Sequence, residues 1–188
     1  LLSNDGRRRR DRGVAVPQPL LVAVAGPPGA GTTTLAHELA RMIPCPAICR
    51  DEIKEGLVQS LDDYTHAYGD AEAYRTMEIF FGVVGYLVDA GVSLVAEASF
   101  QHALWEPGLT PLLDRAETRI VHCRTDPAVM WERIERRTAE VPARRAIHGG
   151  SKRPGTFDPV RLPAPSLEVD TTDGYDPSLD EIVAFLAG

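Results

Sequence analysis

A glycine-rich turn between an apolar run and a helix constrains this chain more than any other feature. Residues 26–34 read Gly-Pro-Pro-Gly-Ala-Gly-Thr-Thr-Thr and follow the continuous apolar run 20–25. They fit the pattern G-x-x-x-x-G-K-[ST], except that threonine stands at the lysine position. Backbone N–H groups at such a turn and at the helix N-terminus attract phosphate, and a threonine hydroxyl there is available to Mg²⁺. The alternative is a turn that only connects a strand to a helix. The residues that we expect to bind phosphate are Gly26, Gly29, Ala30, Gly31, Thr32, Thr33 and Thr34.

Apolar runs alternate with amphipathic segments along the rest of the chain. Strands are expected near 20–25, 47–49, 92–96, 118–123 and 166–170. Helices are expected from 32, over 70–89, near 102–116, from 127 and over 178–187. The period of the second helix places Tyr74, Phe81 and Val84 among its inward residues. Because strands that alternate with helices usually pair in parallel, the sequence predicts a three-layer α/β fold with a five-stranded parallel sheet.

The composition of the 188 residues limits the classes of partner. Hydrophobic residues make up 44% and charged residues 25%, which excludes disorder as the global state. Proteins that bind long nucleic acids are usually basic, so the formal net charge of −7 argues against nucleic acid and leaves small phosphorylated ligands open. No apolar run is long enough for a membrane-spanning helix. The three cysteines have no framework spacing, which favours a reducing, cytoplasmic location.

One domain is expected over 19–188, after a disordered, arginine-rich tail at 1–18. The tail imitates a secretory signal in its basic start, but Pro17 and Pro19 interrupt the apolar stretch that follows. Residues 138–165 hold proline, glycine, arginine and histidine without a clear period. We expect them to form a small mobile lid.

Two acidic residues come at the ends of predicted strands. Asp51 follows the second strand, and Glu97 follows the third. Ligands bind outside the carboxyl ends of the strands in an open parallel sheet. There an aspartate can accept a proton from an attacking hydroxyl, and a glutamate can hold Mg²⁺ or substrate. The alternatives are a plain helix N-cap for Asp51 and a solvated charge for Glu97.

Arginines gather on one predicted helix and in the loop after it. Arg133 and Arg137 are four residues apart and share a helix face, and Arg144 and Arg145 follow in the loop. Several guanidinium groups on a flexible segment can clamp phosphate. The alternative is a solvated surface on which these arginines pair with nearby glutamates.

With these residues in place, the chain resembles the small P-loop kinases. These AAA-like ATP-binding proteins include zeta toxins, chloramphenicol phosphotransferase, gluconate kinase and the kinase domain of polynucleotide kinase. The resemblance covers 20–187, and its main segments are the loop 26–34 and the run Cys49-Arg50-Asp51-Glu52-Ile53-Lys54. It implies the strand order of that kinase fold. The residues that resemble the family's lid arginines are Arg133, Arg137, Arg144 and Arg145.

The resemblance also implies roles for individual residues. Asp51 would activate the acceptor hydroxyl, with Arg50 and Lys54 of the same segment at the substrate. Apart from the resemblance, the position of Glu97 at a strand end predicts that it places Mg²⁺ or substrate, with the Thr33 hydroxyl as a second ligand for Mg²⁺. Thr171 lies in 170–175, which resembles the segment near the adenine in that family.

The function implied is transfer of the γ-phosphate of Mg²⁺-ATP, or of GTP, to a hydroxyl of an unidentified small molecule. Thr32 favours an alternative, a degenerate nucleotide-binding module with little turnover, whereas Asp51 and Glu97 favour the enzyme. A 5′-hydroxyl polynucleotide kinase would fit Arg50 and Asp51 but not the net acidity. The oligomeric state is left open.

Overall fold

The structure, a computed structural model, describes residues 18–61, 71–140 and 156–188. The strands among them are β1 (Leu20–Ala25), β2 (Ala47–Cys49), β3 (Leu94–Ala98), β4 (Glu117–Arg124) and β5 (Ser166–Asp170). The helices are α1 (Thr32–Met42), α2 (Arg50–Val58), α3 (Ala71–Asp89), α4 (His102–Leu109), α5 (Pro127–Glu140) and α6 (Leu179–Ala187). A 3₁₀ turn at Thr110–Leu112 follows α4. The five predicted strands are confirmed, and β3 begins two residues later than expected.

The strands form one parallel sheet in the order β2-β3-β1-β4-β5. The central strand β1 pairs with β3 on one side and β4 on the other. Its register sets Val24 beside Glu97 of β3, and Glu97 in turn stands beside Cys49 of β2. The carboxyl ends of these three strands therefore meet at one edge of the sheet, where the glycine-rich loop and Asp51 follow.

The central strand is buried on both faces, as its continuous apolar sequence predicts. Leu21 and Ala23 belong to a core that α3 and α4 cover. Val22 and Val24 belong to a second core, which α1 and α6 cover on the opposite face. The predicted three-layer α/β fold is confirmed.

A cluster of aromatic rings packs α3 against α4 and against the residues that follow β3. Four rings lie with centroids 5.1–6.0 Å apart, mostly edge to face, which is the favoured geometry for aromatic pairs. They belong to Phe80, Phe81, Phe100 and Trp105. Trp105 is fully buried, so its ring packs in the core rather than facing solvent.

Two helices differ from the sequence prediction. The buried residues of α3 are Thr76, Phe80, Val84 and Val88. Tyr74 is 59% exposed, so its predicted inward position was wrong. The buried residues are spaced four apart, so they form a stripe that winds slowly around the helix axis. At the start of the helix this stripe has moved away from the predicted face, and Tyr74 is left on the outer face. The helix expected near 102–116 ends at Leu109, shortly after Pro107, and continues as the 3₁₀ turn.

Residues 1–17 of the predicted tail and 141–155 of the predicted lid lie outside the described residues. At the two ends of the lid range, 138–140 belong to α5 and 156–165 lie against the domain. Val160 is buried in the core under α3, and the His102 N–H donates to the Asp158 carbonyl at 2.9 Å. The mobility of the lid stays a prediction. In the described part of the chain, no helix is long and apolar enough to cross a membrane.

Candidate phosphate-binding site

The glycine-rich loop leaves β1 and turns directly into α1. Gly29 and Gly31 have φ values of 87° and 71°, which glycine adopts without strain. Helix α1 begins at Thr32 with Gly31 as its N-cap, without a side-chain cap or an acidic residue in the first turn. The N–H groups of that first turn have no partner within the helix. The loop therefore presents an uncompensated helix N-terminus, which suits an anion.

Backbone and side chains of α5 and β4 hold the loop closely. A Cβ atom on Gly26 would lie 2.7 Å from the carbonyl oxygen of Cys123 in β4. A Cβ atom on Gly29 would lie 2.8 Å from the carbonyl oxygen of Met130 and 3.0 Å from the side chain of Ile134. Only glycine allows these two approaches. Met130 and Ile134 are supporting residues that the sequence analysis did not single out, although the helical period of α5 marks them as inward.

A hydrogen bond from Thr171, just after β5, holds the glycine-rich loop in place. Its hydroxyl is within hydrogen-bond distance of the Ala30 carbonyl, at 2.9 Å, and of the Arg124 carbonyl, at 3.2 Å. The residue is only 3% exposed. The structure thus brings Thr171 to the back of the phosphate loop, while its predicted contact with a nucleotide stays a prediction.

Glu97 lies at the centre of the site, 3% exposed. The Thr32 hydroxyl donates to its Oε1 at 2.5 Å, and the Thr33 hydroxyl donates to its Oε2 at 3.3 Å. Burial raises the pKa of Glu97 to about 7, against the opposing effect of the Thr32 hydrogen bond. The charge of Asp51 raises this pKa further, and the charge of Arg137 lowers it. Glu97 is therefore no solvated strand-end charge, and Thr32 uses its hydroxyl inside the fold.

Asp51 lies in the first turn of α2, next to the end of β2. The N-cap of this helix is Cys49, so the alternative reading of Asp51 as a plain N-cap was wrong. The Arg50 guanidinium donates to the Asp51 carboxylate at 2.9 Å and lies over the Phe100 ring, 5.9 Å from its centroid. Among the described residues, the buried Nε of Arg50 has no hydrogen-bond partner. Cys49 at the end of β2 pairs with Glu97 of β3, and Asp51 follows Cys49 by two residues, so both acidic residues lie at the same edge of the sheet.

Lys54 lies three residues after Asp51 on α2 and is 2% exposed. A fully buried lysine is rare, because its ammonium group must be paired to leave water. The ammonium group of Lys54 is therefore a buried positive charge, one helical turn from Asp51. Helix α2 was not predicted, since its polar run of nine residues carries only a weak apolar period.

The two described lid arginines have different surroundings. Arg133 donates to the Thr171 carbonyl at 2.6 Å and to the Thr172 carbonyl at 3.2 Å. It also reaches the Thr171 hydroxyl at 3.3 Å, so it ties α5 to the turn after β5. Arg137 is exposed, and its charge acts on Glu97. Arg144 and Arg145 lie outside the described residues, and their roles stay predictions.

All three cysteines are free thiols, as expected from their number and spacing. Cys49 and Cys123 are buried, and Cys45 is half-buried. The two buried thiols belong to the core that α1 and α6 cover.

Solved structures with the same fold include several kinases. A candidate kinase from Chloroflexus aurantiacus J-10-fl has a TM-score of 0.79 and 25% identity, covering 90% of this chain and 97% of that one. The APS kinase CysC of Mycobacterium tuberculosis, in complex with AMPPNP and APS, has a TM-score of 0.62 and 19% identity. That match covers 92% of this chain and 99% of CysC. A gluconokinase from Sinorhizobium meliloti 1021 has a TM-score of 0.57 and 16% identity, covering 91% and 93%.

No curated protein sequence matches this chain significantly. The match to a protein family covers more than half of it, from β1 through the phosphate loop to α5. The resemblance to small P-loop kinases is confirmed by this family and by the kinase structures with the same fold. Over residues 21–148, the chain belongs to the AAA domain family.

Proposed function

We propose that this protein is a nucleotide-dependent phosphotransferase that moves the γ-phosphate of ATP or GTP to a hydroxyl of a small molecule. The observation that carries the proposal is the meeting of three groups at one sheet edge. These are the uncapped N-terminus of α1, the Thr33 hydroxyl beside the Glu97 carboxylate, and Asp51 in the first turn of α2. The kinases of the same fold support it.

The phosphate loop would bind the nucleotide. The N–H groups at the start of α1 would bind phosphate oxygens, and the positive end of the helix dipole adds to the attraction. Thr33 and Glu97 offer a hydroxyl and a carboxylate, the oxygen ligands that Mg²⁺ prefers. These two residues fit a Mg²⁺ ion, which would neutralise charge on the phosphates when bound.

Asp51 would act as general base. As the acceptor oxygen attacks the γ-phosphorus, its proton passes to the Asp51 carboxylate, and the bond to the β-phosphate oxygen breaks. Arg50 holds that carboxylate at 2.9 Å, which would keep Asp51 oriented for the proton transfer. Lys54 would contribute positive charge from the buried face of the same helix.

The loop lysine of related proteins must be replaced by another cation. Arg137 is the described arginine best placed for this role, because it is exposed and its charge reaches Glu97. Arg133 would act with it by holding α5 to the turn after β5, since its guanidinium binds the carbonyls of Thr171 and Thr172. Arg144 and Arg145 would complete the set from the predicted lid.

A second function, a nucleotide-binding module with little turnover, is favoured by one observation. Thr32 turns its hydroxyl to Glu97 at 2.5 Å, so the position that carries lysine in the motif serves the interior of the protein. Nucleotide binding without phosphoryl transfer would identify this second function.

The substitution Asp51→Asn tests the proposal. We expect phosphoryl transfer to a panel of hydroxyl compounds to fall by about 10² to 10⁴, the usual contribution of general acid–base catalysis. Nucleotide affinity should change little, because the amide keeps the shape of the carboxylate. Turnover is measured with radiolabelled ATP, and affinity by titration calorimetry.

Asp180→Asn is the matched control. Asp180 is the second residue of α6, as Asp51 is of α2, so both substitutions remove one negative charge from a first helical turn. We expect the control to keep full turnover. Equal turnover in both variants would contradict a catalytic role for Asp51.

A further inference from the structure

A group of three side chains meets one helical turn behind the phosphate loop. His37 comes from α1, Cys49 from the end of β2, and Glu52 from the first turn of α2. The Nε2 atom of His37 lies 2.7 Å from Oε1 of Glu52 and 3.7 Å from Sγ of Cys49. All three possible ligand atoms lie within 4.8 Å of one another. The sequence alone does not bring these three residues together, because they come from three different elements.

We propose that His37, Cys49 and Glu52 form a binding site for a divalent metal ion that accepts sulfur ligands, with Zn²⁺ as the ion that fits best. Imidazole nitrogen, thiolate sulfur and carboxylate oxygen are the three ligand types that Zn²⁺ takes in proteins. Three protein ligands leave one tetrahedral position for water or for a further ligand.

The distances are close to those that a tetrahedral ion requires. Bond lengths of about 2.3 Å to sulfur and 2.0 Å to nitrogen place those two atoms roughly 3.5 Å apart. The observed separation of Sγ and Nε2 is 3.7 Å. The contact between His37 and Glu52, at 2.7 Å, would open to about 3.3 Å as the ion replaces a hydrogen bond. Both of these side chains are partly exposed, at 37% and 46%, so this small movement is available to them.

The charges around Cys49 favour a cation. Burial raises the pKa of the Cys49 thiol, and the nearby carboxylates of Glu97, Glu52 and Asp51 raise it further. The same carboxylates attract a cation, which would compensate the negative charge of the sulfur once it is bound. The thiol is 2% exposed, while His37 and Glu52 open to solvent on the other side and provide an entry path. Binding replaces the thiol proton by the metal, so one proton is released to solvent for each ion bound.

A metal at this site would link α1, β2 and α2 directly. The same helix α1 carries the phosphate loop at its start, and Asp51 directly precedes Glu52. The ion would thus fix the helix of the loop to the segment of the proposed base. This inference does not depend on phosphotransferase activity.

Titration of the full chain with Co²⁺, without nucleotide, tests the site. After removal of bound metal with a chelator, we expect one equivalent of Co²⁺ to produce a thiolate-to-cobalt charge-transfer band that Zn²⁺ abolishes. Cys49→Ser should remove the band. His37→Gln and Glu52→Gln change partly exposed residues and should keep the fold, yet weaken Zn²⁺ binding by at least about tenfold, since even outer-shell partners contribute about 10- to 100-fold.

Two matched variants serve as controls. Cys45→Ser removes a half-buried thiol near the other end of β2, and His102→Gln removes a histidine that lies 3.7 Å from a carboxylate of its own helix. Both should bind Co²⁺ as the wild type does. Absence of the band in the wild type, or its persistence in Cys49→Ser, would overturn the site and leave His37 and Glu52 as an ion pair. Zn²⁺ affinity unchanged in both His37→Gln and Glu52→Gln would overturn it as well.

Discussion

Thr32 occupies the lysine position of the phosphate loop, yet its hydroxyl faces the interior. It is 4% exposed, and its hydrogen bond to Glu97 is short at 2.5 Å. A buried carboxyl group needs such a donor, because leaving it without a partner costs about 1–3 kcal/mol or more. The residue that departs from the motif therefore has a structural role of its own.

Thr32→Lys tests whether the protein lacks a cation or already has one. A hydrogen bond from a charged group contributes about 1.5–3 kcal/mol, roughly 10- to 150-fold in affinity. We expect a smaller gain than this, because Lys54, Arg137 and the predicted lid arginines already supply positive charge. Nucleotide affinity and turnover of the variant check the expectation.

Alanine at Lys54, Arg137, Arg144 or Arg145 is the complementary measurement. At least one of these substitutions should remove most of the turnover. A large gain from Thr32→Lys, with all the alanine variants fully active, would instead identify the chain as a degenerate binder.

At the scale of elements, one arginine ties α5 to the turn after β5, and the charge of another acts on Glu97. Arg133→Met removes hydrogen bonds from a charged group to the carbonyls of Thr171 and Thr172. We expect it to lower the free energy of unfolding by about 2–3 kcal/mol. Arg137→Met removes an exposed side chain and should change stability by less than about 0.5 kcal/mol, while turnover falls by about 10² to 10³.

Urea denaturation and steady-state kinetics separate the two arginine variants. Each is the control for the other, because both remove one guanidinium from the same helix. Similar losses of stability in both variants would contradict a structural role for the contacts of Arg133 with Thr171 and Thr172.

Two glycines in helices allow a test of the packing between α3 and α4. A Cβ atom on Gly108 of α4 would overlap the ring of Phe81, which three other aromatic rings hold in place. Gly108→Ala should therefore cost about 1–3 kcal/mol through overpacking. A Cβ atom on Gly82 of α3 meets nothing within 4 Å, so Gly82→Ala should stabilise the helix by about 0.5–1 kcal/mol. Opposite shifts of the urea midpoint are expected, and a stabilising Gly108→Ala would contradict this account of the packing.

At the scale of the whole molecule, nucleotide binding should raise the free energy of unfolding. A ligand that binds only the folded state adds about 2.7 kcal/mol at 100 times its dissociation constant. For a domain of this size that corresponds to a rise in Tm of roughly 5–11 °C. Thermal melting with ATP and with GTP, with and without Mg²⁺, measures the effect. Adenosine, which lacks phosphate, is the control, and no shift with any nucleotide at millimolar concentration would contradict the binding site.

Much of the fold follows from the sequence, because strands buried on both faces leave uninterrupted apolar runs such as 20–25 and 94–96. The resemblance to a known family, rather than the apolar pattern, implied the order of the strands. The sequence did not predict helix α2, which continues after Asp51 as far as Val58. It also predicted too long a helix at α4, because the pattern around Pro107 is otherwise helical.

The sequence predicts those residues of the candidate site that lie at the carboxyl ends of strands. Asp51 follows β2 and Glu97 lies near the end of β3, so the parallel sheet brings them to one edge. The bond between Thr32 and Glu97 joins residues 65 positions apart, and no local pattern encodes it. The contacts of Arg133 are to backbone carbonyls, which every residue carries and which therefore leave no signal in the sequence.

The central position of β1 has a consequence for the newly synthesised chain. This strand is made first among the described elements, but its partners β3 and β4 begin only at residues 94 and 117. At a synthesis rate of about 5–20 residues per second, β4 follows β1 by roughly 5–18 s. Throughout that interval a wholly apolar strand has no completed sheet on at least one edge, which is the arrangement that promotes association between chains. The nascent protein is thus most exposed to aggregation before residue 124 has been added, and its yield should respond to chaperones that act during translation.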